Sequence, residues 1–124
     1  MMYKLMAVAF GGSVGAVARY LMFLLVGRYY TGVFPWASLL VNLSGAFLIG
    51  FLWGLFDGLY VSPAIRTFLI IGILGSFTTF STFTFDLLNL YRDGEIKMFV
   101  TYLLSSNLLG LALVFAGFYF FKLI

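Results

Sequence analysis

Four long apolar blocks run through the chain, separated by clusters of charged and turn-forming residues. Arg28, Gly32 and Pro35 stand in the first gap, Asp57 to Arg66 with Pro63 in the second, and Arg92 to Lys97 in the third. Each block holds the roughly 20 apolar residues that a helix needs to cross the hydrocarbon of a bilayer. The pattern predicts spans near residues 4–27, 36–58, 67–91 and 97–122. Connections this short make successive helices antiparallel and leave little chain outside the membrane. The expected architecture is an all-α integral membrane protein, one four-helix transmembrane domain over residues 1–124. The first block, Leu5 to Val26, is longer than the apolar core of a signal peptide, so we read it as the first span.

Composition sharpens this picture. Hydrophobic residues make up 64% of the chain and charged residues 9%, against about 25% charged in a soluble domain. The net charge of +3 belongs to basic residues at helix ends and loops, where they meet lipid headgroups; no nucleic-acid partner is expected. There is no cysteine and no histidine, which removes disulfides, thiolate metal sites and the commonest general base. The chain is therefore not expected to be an enzyme, and its function is expected within the membrane.

Lys and Arg counts on the two sides set topology. Lys4, Arg66 and Lys122 fall on the side of the N-terminus, and Arg28, Arg92 and Lys97 on the other. Three against three gives little instruction, and Arg19, inside the first span, tips it only slightly. Insertion in both orientations is the expectation, with pairing as an antiparallel homodimer that completes a pathway too large for one short chain. Orientation fixed by lipid or by a binding partner is the alternative.

Several polar residues lie inside the spans. In the second, Ser38, Asn42, Ala46, Gly50, Gly54 and Gly58 recur every four residues, a ridge along which another helix can approach closely. Asn42 offers two N–H donors, either to an anion or to a neighbouring helix. Arg19 costs about 2.5 to 3.5 kcal/mol at a helix centre and less if it snorkels; it lines an anion-attracting vestibule or anchors the helix end. The third span concentrates two glycines, six hydroxyls and four phenylalanines in the fourteen residues from Gly72 to Phe85. Thr79 to Phe85 has local strand propensity, but an isolated strand leaves its backbone unpaired in lipid, so a helix is expected. A break at Gly75 to Thr79 is admissible where the freed carbonyls face protein, a cavity or a cation, and it supplies oxygen ligands for Na⁺ without a carboxylate. Phe80 and Phe83, at i and i+3, present ring edges to an anion or simply pack. In the fourth span Ser105, Ser106 and Asn107 line a polar track or bind a neighbouring helix, and Tyr102 reaches the same face as Ser106.

Gly75 to Phe83, reading GSFTTFSTF, resembles the signature of the Fluc (CrcB-type) fluoride channels. The likeness extends to Gly11-Gly12-Ser13-Val14-Gly15-Ala16 with Arg19-Tyr20, and to Val41-Asn42-Leu43-Ser44-Gly45 with Phe47. The resemblance implies a dual-topology antiparallel homodimer in the bacterial inner membrane, with two pores that export F⁻ passively and protect against fluoride toxicity. It also implies a structural Na⁺ at the dimer centre, held by backbone carbonyls of Gly75 and Thr78. Phe80, Phe83 and Asn42 would contact F⁻; Ser81 or Thr82, with Tyr102 and Ser106, would line the path; Arg19 would draw anions into the vestibule. One and two turns beyond Ser106 stand Gly110 and Val114, so the hydroxyl track of the fourth span is shorter here than in that family.

The competing reading is a proton-coupled small multidrug or guanidinium exporter, which is also a four-span dual-topology dimer. Such an exporter needs a carboxylate in the membrane, and the first span has none. Asp86, near the end of the third, lies too close to the interface to be a central proton carrier. A non-transporting assembly subunit would have no use for so polar a third span.

Overall fold

The computed structural model describes residues 1–123, and every regular element among them is a helix. Four helices are long and apolar enough to cross a membrane: Met2–Tyr29, Trp36–Gly58, Pro63–Arg92 and Ile96–Leu123. Only a few side chains are buried within the protein, among them Leu39, Val41, Phe56, Phe83, Leu90 and Tyr102. Most large apolar residues face outward, as lipid-bathed helices require.

Local chemistry sets the ends. Pro63 opens the third span behind Ser62, whose hydroxyl accepts the Ile65 N–H at 3.4 Å, so the missing proline N–H is no loss. After Arg92 the chain reverses at Gly94, whose φ of +75° suits glycine. The Gly94 N–H donates to Tyr91 and the Glu95 N–H to Leu90, closing the helix end.

The third span is not one regular helix. After Pro63–Arg66 the stretch Thr67–Leu74 is wound as a π-helix, followed by one α-turn, Gly75–Phe77. Thr78 and Thr79 are then extended, with φ, ψ of −86°, 153° and −152°, 127°, before the helix resumes at Phe80–Arg92. The break expected from the glycine and hydroxyl content is therefore present; the π-wound stretch before it was not anticipated.

Packing explains what the break does. The arm before it lies along the first helix, and the arm after it along the fourth. The first contact is close because glycines meet: a Cβ added at Gly72 would stand 2.8 Å from the Cα of Gly11, and one on Gly15 would collide with the Ile73 carbonyl. The second helix packs along the fourth over much of its length, and the ridge divides. Gly50 and Gly54 press on the backbone at Val114 and Phe118, Gly117 presses back on Phe47, and Asn42 and Gly45 turn toward the break.

Candidate functional site

The two extended residues leave backbone groups without helical partners, and side chains from other helices take up several of them. Asn42 does most. Its Oδ1 accepts the Thr79 N–H at 3.0 Å and its Nδ2 donates to the Thr79 carbonyl at 3.3 Å, so one amide pairs with both polar groups of a residue that a helix would have satisfied. Gly45, three residues on, lets the segment approach: a Cβ there would overlap Thr78 Cγ2. Arg19 donates from Nε to the Ser76 carbonyl at 3.1 Å. Thr79 caps the second arm, its Oγ1 accepting the Thr82 N–H at 3.3 Å and lying 3.1 Å from Ser81 Oγ.

The break deprives the last carbonyls of the first arm of their helical amides, those of Gly75 and Thr78 among them. The Thr79 N–H goes to Asn42 instead of Gly75 one turn back, and the Thr82 N–H goes to Thr79 Oγ1 instead of Thr78. These are the two carbonyls expected to hold a cation.

Beside the break lies a cavity of about 410 Å³. Asn42, Gly75, Thr78, Phe80, Phe83 and Ser106 all line it, together with Thr79 and Asn107. No carboxylate among the described residues does. Ser106 Oγ is shut off from the surface and has no hydrogen-bond partner among the described residues, a state in which a buried hydroxyl rarely remains without a ligand or water. Asn107, by contrast, donates back to the Leu103 carbonyl at 2.7 Å. The rings of Phe80 and Phe83 are 5.8 Å apart at 48°, but their settings differ. Phe83 is 8% exposed and packs in the cluster of Leu39, Leu90 and Tyr102, whereas Phe80 is 76% exposed on the open side.

Four expected residues lie off the cavity. Ser81 and Thr82 cluster on the Thr79 hydroxyl, and Arg19 is engaged behind the break. Tyr102 is fully buried, its ring 5.1 Å from that of Phe83 and its hydroxyl donating to Asp86 Oδ2 at 3.0 Å. That bond gives Asp86 a partner which its place near the helix end did not suggest. Thr79 is the residue sequence reasoning passed over: a threonine just before a resumed helix, three residues from Thr82, is an N-cap pattern and was the available signal.

Together these features define a multi-pass membrane protein whose third span breaks beside a largely apolar cavity that holds a few polar groups and none of the described carboxylates, the form of a channel or carrier for a small ion. The chain belongs to the CrcB-like protein family, Camphor Resistance (CrcB), whose family model matches residues 6–118. It is 43% identical over 113 residues to the fluoride-specific ion channel FluC of Aquifex aeolicus, covering 90% of this chain and 91% of that one. It is 44% identical over 114 residues to fluoride-specific ion channel FluC 1 of Nitrobacter hamburgensis, with 91% and 90% covered, and 43% identical over 119 residues to that of Rhodospirillum centenum, with 94% and 93% covered.

Proposed function

We propose that the chain is a fluoride-selective channel of the bacterial inner membrane, an antiparallel homodimer that lets F⁻ leave the cytoplasm passively and so protects against fluoride toxicity. The relatives' names support the ion, and the observation that carries the mechanism is the cavity. It brings the unpartnered Ser106 hydroxyl, the Asn42 amide and the two phenyl rings together with no negative charge among them. An anion as strongly hydrated as fluoride enters only where donors replace its water.

Each residue then has a task. Ser106 O–H donates to the ion, as does the Asn42 N–H left free by the Thr79 clamp. Phe83 and Phe80 offer the positive edges of their rings. Ser81, Thr82 and Tyr102 extend the path at its margins, and Arg19 stands at the vestibule side. The exposed face of Phe80 is the open side of the cavity, and a second copy of the chain would close it. Dual insertion, favoured by the balanced basic residues, supplies that copy in the antiparallel sense.

The break also suits a cation. Among the described residues no group of three or more acidic or sulfur and imidazole ligands gathers, but the Gly75 and Thr78 carbonyls are free of their helical amides. Contributed by each copy, they would hold a structural Na⁺ at the dimer centre, where it supplies a fixed positive charge and ties the two breaks together.

No chemistry is catalysed. Hydrogen fluoride crosses membranes as a neutral weak acid and ionises in the near-neutral cytoplasm, so F⁻ is trapped until a passive path releases it. The test is efflux from proteoliposomes loaded with F⁻ and Cl⁻, without a proton gradient. Rapid loss of F⁻ with Cl⁻ retained is expected. Transport only of guanidinium-type cations, and only with a proton gradient, would instead establish the exporter reading.

A further inference from the structure

Arg19 has a second distinctive surrounding, because its Nε is directed at the Ser76 carbonyl, fifty-seven positions away, at 3.1 Å. Ser76 lies in the last turn of the arm 63–77, and its carbonyl would bond the Phe80 N–H if the helix continued. The extended Thr78 and Thr79 make that impossible. A helix end carries about half a negative charge in its unpaired carbonyls, and here the neighbouring Leu74 and Gly75 of that end line the cavity proposed for an anion. The neighbouring backbone is tightly fixed as well: Gly12, Gly15 and Gly11 hold the first helix against Ser76, Ile73 and Gly72, with a Cβ on Gly12 only 3.2 Å from Ser76 Oγ.

We infer that Arg19 is a positioning residue, a cap in trans on the broken helix, and not a vestibule charge that attracts ions from a distance. It neutralises the carbonyl end beside the pathway and fixes the direction of Ser76, and with it the adjoining Gly75 carbonyl. The inference rests on the fluoride-channel reading but makes different demands. A charge that steers ions acts through the solution: salt screens it, with the Debye length shrinking from about 10 Å at 0.1 M to about 3 Å at 1 M, and lysine replaces it. A cap acts through one short, oriented bond that salt hardly touches, and the compact lysine ammonium on its flexible stem does not reproduce the guanidinium's fixed direction.

The experiment measures fluoride efflux from proteoliposomes for the wild type, Arg19→Lys and Arg19→Gln, at about 0.1 M and 1 M background salt, with thermal unfolding of each purified protein followed in Na⁺ and in a bulky organic cation. The cap predicts that both variants lose flux by about tenfold, the scale of one hydrogen bond to a charged donor, and that wild-type flux changes less than twofold with salt. It also predicts that Na⁺ protects both variants from unfolding less than it protects the wild type. Full flux in Arg19→Lys, or wild-type flux that falls severalfold in high salt while Arg19→Gln is flat, would overturn the cap. If a variant does not fold, the wild-type salt series decides alone. Absence of fluoride flux in the wild type would sink the channel reading itself, a result separate from either outcome for Arg19.

Discussion

Phe80 and Phe83 are chemically identical and three residues apart, yet one is bare and the other is held in a cluster with Tyr102. Their variants should therefore separate flux from stability. Phe80→Ile leaves folding of the single chain unchanged, whereas Phe83→Ile costs up to about 1.5 kcal/mol as an apolar replacement of changed shape; both should cut fluoride efflux by tenfold or more, because isoleucine has no polarised ring edge. Thermal unfolding and efflux on the same preparations check this, and normal efflux in both would remove the rings from the mechanism. Asn42 is predicted to matter twice. Asn42→Ala leaves both polar groups of Thr79 without their partner, a loss of about 1–3 kcal/mol for each buried group, seen as a lower unfolding temperature. In Asn42→Asp the Oδ1 contact survives but an oxygen faces the Thr79 carbonyl, so the break is strained even though size is kept. The sequence left open whether Asn42 serves an ion or a neighbouring helix. Its contacts show the helix-bracing task directly and leave one N–H for the other.

At the scale of elements, the broken third span changes its partner from the first helix to the fourth, and Gly45 is what permits the approach of the break to the second helix. Gly45→Ala should destabilise by about 1–3 kcal/mol through overpacking against Thr78 Cγ2. Adding Thr78→Ser removes that methyl, and the double variant should recover most of the loss; no recovery would mean that Gly45 acts on something else. The break itself was legible because Gly75, the crowded hydroxyls and the ban on unpaired backbone in lipid leave few other outcomes. The π-winding of Thr67–Leu74 was not, since the unbroken apolar run Phe68 to Leu74 has no polar–apolar alternation that would mark either winding. The small-residue ridge of the second span was read correctly as a packing surface, but nothing in a four-residue repeat says that Gly50 and Gly54 meet one helix while Asn42 and Gly45 meet another.

For the whole molecule, four apolar blocks were enough to expose an all-helical membrane protein, because the bilayer imposes span length and internal hydrogen bonding on any chain that crosses it. The Tyr102–Asp86 bond was hidden, since it joins residues whose relative depth depends on how the fourth helix tilts against the resumed third. The proposed dimer makes two demands beyond the single chain. Adding two lysines to the loop at Arg92–Lys97 should force one orientation, and flux should fall to a small fraction unless an oppositely biased chain is co-expressed. Replacing Na⁺ with a bulky organic cation should lower the unfolding temperature, read by scanning fluorimetry, if the Gly75 and Thr78 carbonyls hold a cation; an unchanged temperature would exclude a stabilising role for it. The central claim is selective, passive passage of fluoride through this fold, and the most direct measurement is the reversal potential across a planar bilayer holding the purified protein, with F⁻ on one side and Cl⁻ on the other. The account predicts a potential set by the fluoride gradient and indifferent to pH on either side; a potential that tracks chloride or the proton gradient would contradict it.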